Sequence, residues 1–143
     1  MALESIPAPS GFRVGHTGHA YSEAAFRYLL DADRRRAERS QRSIILLLVS
    51  IRREPGRSMQ LNDATGAALL GGLAASIREV DFVGWFRDGR VMGAVMPQTP
   101  GAAPQLRAAI AQRIVSALQK TLPPAFARQL HVRVVQLDAK EQR

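Results

Sequence analysis

The stretch Arg78-Glu79-Val80-Asp81-Phe82-Val83-Gly84-Trp85-Phe86-Arg87-Asp88-Gly89-Arg90-Val91-Met92-Gly93-Ala94-Val95-Met96 decides the fold. Asp88-Gly89 stands between two apolar runs. That pair favours positive φ at both central positions, as a two-residue type I′ turn requires. The expectation is a tight antiparallel hairpin with strands at residues 82–86 and 91–96. Arg78 and Asp81 precede its first strand, where a helix should end.

Working outward, the apolar residues Leu69, Leu70, Leu73, Ile77 and Val80 mark the buried stripe of a helix over residues 58–79. Gly66, Gly71 and Gly72 each cost such a helix about 1 kcal/mol against Ala, unless they permit close packing. Pro55 and Gly56 make a loop before it. Residues 43–51 form a strand, and Ile44-Ile45-Leu46-Leu47-Leu48-Val49 does not alternate, so both faces are expected to be buried. An earlier helix starts at Ser22, a good cap with Glu23 in its first turn. Ala25, Phe26, Leu29, Leu30 and Ala37 share one face of it.

Downstream, Pro97 ends the hairpin. A helix over residues 104–122 turns Leu106, Ile110, Ile114 and Leu118 inward and stops at Pro123-Pro124. The last strand, residues 130–137, alternates Leu130, Val132 and Val134 with His131, Arg133 and Val135. Without the first helix the order is β-α-β-β-α-β, the ferredoxin-like arrangement. The fold class is therefore α+β, a four-stranded antiparallel sheet with helices on one face, preceded by an extra N-terminal helix. Residues 20–137 form one domain, between a mobile tail at 1–19 and a charged tail at 138–143. His16 and His19 have a spacing that could ligate a metal on a helix, but the glycines around them oppose a helix.

With 143 residues, 46% hydrophobic and 22% charged, the chain suits one soluble domain with a real core. Its longest apolar run is far too short to span a bilayer. There are no cysteines, which excludes disulfides and thiolate chemistry and points to a cytoplasmic location. The net charge is +8, carried by 18 Arg against 2 Lys. Such a field permits an anionic partner without defining a site. The run Arg34-Arg35-Arg36, with Arg39 and Arg42, reads as a solvated face rather than a nucleic-acid contact.

The order of elements, and residues within it, resembles the GGDEF domain family, the diguanylate cyclases of bacterial signalling. Phe26-x-x-Leu29 through Arg36-Ala37-x-Arg39 is similar to the family's leading helix. Arg78-x-x-Asp81, a short apolar strand, a tight turn and a strand closing at Met96-Pro97-Gln98-Thr99 resemble its inhibitory site and signature hairpin. Ala111-Gln112-Arg113-Ile114 is similar to a pattern on the following helix. The resemblance implies a cyclic di-GMP site at Arg78, Asp81 and Arg113. An arginine fork can donate to O6 and N7 of guanine, and a carboxylate can accept from its N1–H and amino group.

The departures from the family pattern concern catalysis. Its turn reads Gly-Gly-Asp/Glu-Glu-Phe; here it is Arg87-Asp88-Gly89-Arg90-Val91. Its first strand ends in metal-binding aspartates; here Val49-Ser50-Ile51-Arg52 carries no carboxylate. Two-metal phosphoryl transfer needs acidic oxygen ligands. Asn62-Asp63-x-x-Gly66 is similar to a substrate-binding pattern, but the chain to Arg78 is several residues too short for it, and these residues are read as a helix start. The expectation is a degenerate GGDEF domain that is not an enzyme. It has no catalytic residues, metal or cofactor, and serves as a cyclic di-GMP receptor or adaptor with a protein partner. The alternative is a ligand-free interaction module, including a homodimer, that retains the fold.

Overall fold

The structure is a computed structural model that describes residues 20–54, 56–78, 80–98 and 105–137. The expected tails, with His16 and His19, lie outside the described residues. In chain order the elements are α1 (Glu23–Ser40), β1 (Ile44–Glu54), β2 (Arg57–Ser58) and α2 (Asp63–Ala74). Then come β3 (Phe82–Arg87), β4 (Val91–Pro97), α3 (Leu106–Thr121), α4 (Pro124–Ala127) and β5 (Leu130–Leu137). Strands β5, β1, β4 and β3 lie side by side, each antiparallel to its neighbour. This is the α+β ferredoxin-like sheet, with β2 added beyond the end of β1.

Strand β1 is central, so both its faces are covered, as its unbroken apolar run requires. Ile45, Leu47, Val49 and Ile51 face α2 and α3 in the larger core, with Leu69, Leu73, Ile110, Ile114 and Leu118. Ile44 and Leu46 face α1 in a second cluster with Phe26, Phe82 and Val95. Helices thus cover both faces, α1 alone on one and α2 with α3 on the other. Gly72 lets the latter two approach closely, since a Cβ there would lie 2.4 Å from a Leu118 methyl. Gly71 meets nothing within 4 Å, so its cost in the helix has no packing return.

Helix α1 starts where the sequence indicated. The Ser22 hydroxyl accepts from Ala25 N at 3.2 Å. At the other end Gln41 is left-handed (φ 58°), and Arg42 N bonds back to Ala37 O, the 6→1 bond of a Schellman ending.

The second helix is shorter than residues 58–79. Met59 N donates to Ile51 O and Leu61 N to Gly89 O, tying that segment to strand ends, so the helix begins only where Asn62 caps Thr65 N at 2.8 Å. It ends at Ala74, and Val80, expected in the buried stripe, is 56% exposed beyond it. Strand β1 runs on to Glu54 because β2 returns beside it, turning at Gly56 (φ 80°).

The hairpin is present, but its turn is not type I′. Only Gly89 has positive φ (73°), and Arg90 N bonds to Arg87 O at 3.0 Å. Positive φ confined to the third residue of a four-residue turn is the type II pattern. Trp85 lies on the α2 side over Gly66, and Phe86 lies on the α1 side under the Arg27 guanidinium, 4.5 Å from the ring centre. Each aromatic is thus covered by a helix or its side chains.

Candidate functional site

The segment between α2 and β3 holds the first two predicted site residues. Beyond α2 the chain bends back, with Asp81 N bonded to Arg78 O at 3.0 Å. The Asp81 carboxylate closes this turn: Oδ2 accepts from Arg78 N at 2.8 Å and from Nε at 3.1 Å, and Oδ1 accepts from Nη2 at 2.8 Å. Nη2 also donates to Pro97 O at 2.6 Å, joining the turn to the last residue of β4. The Asp81 side chain is 1% exposed and that of Arg78 is 51% exposed. Burial makes the two-point carboxylate–guanidinium contact stronger than an exposed pair, whose usual worth is about 0–1 kcal/mol.

This geometry divides the roles assigned to the pair. Every Asp81 acceptor direction in use points at Arg78, and the group is buried. Asp81 therefore positions the guanidinium instead of presenting a carboxylate to solvent. Arg78 spends Nε and Nη2 on protein acceptors, which leaves Nη1 and the exposed guanidinium plane. Arg113, on α3, donates from Nη2 to Ser76 O at 3.4 Å, two residues before Arg78. Helix packing thus brings Arg113 to the segment that carries Arg78. Among the described residues, no carboxylate pairs with Arg113.

On the α1 side of the sheet a groove of about 670 Å³ borders the same segment. Val80, Phe82 and Pro97 line it, together with Ile44, paired with Pro97 across the strands, and Leu29 and Ala37 of α1. Pro97 is common to both features: its carbonyl is the acceptor of Arg78 and its residue lines the groove.

A second cavity, about 380 Å³, opens at the far end of the hairpin and is lined by Asn62, Asp63, Gly66, Trp85, Asp88 and Gly89 among others. The Asn62-Asp63-x-x-Gly66 pattern does start a helix, with Asn62 as its cap. The same residues nevertheless face a cavity against the turn, bringing two carboxylates, Asp63 and Asp88, to one hollow. In the sequence the Asn62-Asp63-x-x-Gly66 pattern is the signal for this hollow, and the short chain to Arg78 speaks against it. Of the turn arginines, Arg90 is committed to Ser58 O at 2.7 Å. Asp88 N is bonded to the Glu23 carboxylate at 2.8 Å.

A cluster that sequence reasoning did not assemble lies across β1 and β5. Their register places Ser50 opposite His131 and Leu48 opposite Arg133, and Arg52 N bonds to Gln129 O at 2.9 Å. The His131 imidazole is held below its ordinary value of 6.5, first by burial and then by the positive charges of Arg52 and Arg133.

Neither a family model nor a curated protein sequence matches the chain. Solved structures do. The FimX GGDEF domain from Pseudomonas aeruginosa superposes with a TM-score of 0.65 at 18% identity, covering 94% of this chain and 83% of that one. A DGC protein from Thermotoga maritima gives 0.59 at 15% identity, covering 83% and 81%. The GGDEF domain of DgcB from Caulobacter crescentus, solved in complex with c-di-GMP, gives 0.56 at 12% identity, covering 92% and 79%.

These neighbours overturn the expectation that the chain is not an enzyme. That exclusion rested on carboxylates missing from the turn and from β1. The surrounding fold is the one GGDEF domains use, a DGC protein among them, and the cavity at the turn keeps Asp63 and Asp88. What the neighbours establish is architecture: this chain has the fold of GGDEF domains.

Proposed function

We propose that this GGDEF-like domain binds cyclic di-GMP at Arg78 and Arg113, with Asp81 holding Arg78 in place, and acts as a receptor or adaptor toward a protein partner in the cytoplasm. The observation that carries this reading is the fixed, half-exposed Arg78 guanidinium. It is anchored by a buried carboxylate, with Arg113 of α3, which pairs with no carboxylate among the described residues, bonded to Ser76 O close by. A guanidinium immobilised in advance loses less entropy on binding than a free one. Nη1 can donate to a guanine or phosphate oxygen, and the open plane can stack on a base. The neighbour solved with c-di-GMP supports the choice of ligand.

Calorimetric titration with cyclic di-GMP, with GTP as the control ligand, tests it. Wild type binds, and Arg78→Ala and Arg113→Ala each weaken binding by at least about tenfold, or 1.4 kcal/mol. No heat at high micromolar ligand refutes the proposal. Turnover of GTP is a separate measurement that this reading neither requires nor forbids.

The groove beside Pro97 favours a second reading, a ligand-free interaction module whose partner or second copy covers the exposed Val80. Loss of partner binding or of dimer in Val80→Asp, with cyclic di-GMP binding absent from the wild type, would select it.

A further inference from the structure

The α1 face of the sheet is unevenly used. Phe26 settles over Gly84 and Gly93, which places α1 on β3 and β4. Toward the other edge, the same face carries Ser50 and Arg52 from β1 and His131 and Arg133 from β5, because residues paired across antiparallel strands point to the same side. Opposed side chains in such a pair have Cβ atoms about 4.5–5.5 Å apart, and diagonal neighbours about 7–8 Å. Two guanidiniums therefore flank one imidazole.

The described ion pairs involve Arg27, Arg35, Arg36 and Arg78, and none involves Arg52 or Arg133. Arg52 Nε is buried and has no hydrogen-bond partner, the one such side-chain atom among the described residues. A buried donor left unmade costs about 1–3 kcal/mol, and more when charged. Buried polar atoms in folded proteins are nearly always satisfied, so an orphaned guanidinium edge, with a second guanidinium on the far side of His131, points to a missing acceptor. That acceptor must be anionic, to offset like charges. It must also offer several oxygens in different directions, to meet donors that come from two strands. A phosphate group has this form, and arginine forks match it.

We propose that Arg52, His131 and Arg133 form a binding site for a phosphate group, supplied as inorganic phosphate or as a phosphomonoester. The Arg52 guanidinium and the Arg133 fork donate to separate oxygens, and the imidazole donates to a third. Burial and the two arginines lower the proton affinity of His131, and an adjacent anion raises it again. This site stands on β1 and β5, apart from Arg78 and Arg113, and does not depend on the cyclic di-GMP reading.

The test is an NMR titration of the full chain with sodium phosphate, and separately with glycerol 3-phosphate, at constant ionic strength set with sodium chloride. Saturable shifts centred on residues 50–52 and 131–133 are expected, together with a rise in the His131 pKa. Arg52→Gln and Arg133→Gln should each weaken binding by about tenfold or more, the loss of one charge-assisted contact. Arg107→Gln, the same charge change on exposed α3, should change it less than about twofold. If only glycerol 3-phosphate saturates, the ligand is a phosphomonoester; if inorganic phosphate binds as well, the free ion suffices. Non-saturating shifts, or equal loss in Arg107→Gln, would reduce the cluster to a diffuse positive field and overturn the proposal. Arg133 is exposed, so Arg133→Gln carries the test should Arg52→Gln fail to fold.

Discussion

A methyl group at residue 84 should undo the docking of α1. An ideal Cβ built on Gly84 would lie 2.7 Å from Phe26 Cδ1, 2.9 Å from Tyr21 Cβ and 2.9 Å from Tyr21 O. Two of these neighbours cannot yield cheaply. Tyr21 O accepts from Trp85 N at 2.9 Å while Tyr21 N donates to Val83 O at 3.2 Å, so the backbone is bonded on either side of the glycine. Phe26 is fully buried, stacked edge-on against Phe82 at 5.7 Å, and is hemmed in by Gly93, where a Cβ would lie 2.8 Å from its Cζ. Overpacking of this kind costs about 1–3 kcal/mol. Stretching the two backbone bonds adds about 0.5–1.5 kcal/mol each where they break.

Gly84→Ala should therefore destabilise by about 2–4 kcal/mol, a fall in Tm of about 7–15 °C for a chain of this size. Gly71→Ala is the internal control. Nothing lies within 4 Å of its added Cβ, and it sits in helix α2, so it should stabilise by about 0.5–1 kcal/mol. Urea denaturation gives both numbers, and hydrogen exchange should show protection lost first in α1 for Gly84→Ala. A neutral Gly84→Ala, or a Gly71→Ala that is the worse of the two, would refute the claim that glycine at 84 exists to seat Phe26.

Three further outcomes follow from single contacts. Asp81→Asn keeps the shape but removes the charge that accepts three bonds from Arg78, and it should cost about 2–3 kcal/mol in urea unfolding. Asn62→Ala removes the α2 cap and should cost about 1 kcal/mol in the same assay. For His131 the folded pKa lies below the ordinary 6.5, so between those two values the unfolded chain binds more protons. Stability should fall as pH drops below 6.5 and level off beneath the folded pKa, and His131→Gln should flatten that part of the curve.

Much of the architecture is written in local pattern. The unbroken apolar run of Ile44 to Val49 marks a strand covered on both sides, and Ser22 with Glu23 marks a helix start. Leu130, Val132 and Val134 mark which side of the last strand meets the core. What pattern misses is set by partners distant in sequence. Arg57 and Ser58 form a strand only because β1 is there to receive them. The helix expected at Ser58 is delayed to Asp63 because Met59 and Leu61 are bonded to Ile51 and Gly89. Asp81 reads as one half of an exposed polar motif, and only the folded chain buries it. Arg52 and His131 are nearly eighty residues apart, and nothing but strand register brings them together. The exclusion of enzymatic activity failed for a related reason. Local substitutions at the turn and in β1 do not reveal the cavity that α2 and the turn build together.

The hairpin is fastened at both ends, and the two fastenings differ. At the turn, Arg90 donates to Ser58 O, Asp88 N donates to Glu23, and Leu61 N donates to Gly89 O. These contacts hold the turn against β2, α1 and the lead into α2, and the arginine spent there goes to a backbone oxygen. At the open end Gln98 N donates to Ser43 O, and the Arg78 guanidinium remains half exposed while bonded to Pro97 O. A ligand that takes Nη2 must release that carbonyl, and a ligand content with Nη1 must leave it in place. The two modes differ at Pro97, which also lines the groove under α1. Comparing Pro97 and α1 resonances with and without cyclic di-GMP would therefore reveal which donor the ligand uses. Movement confined to residues 76–81 means Nη1 alone. Movement that spreads through Pro97 to Leu29 and Ala37 means that occupancy of Arg78 is felt across the sheet, on the face where a partner could read it.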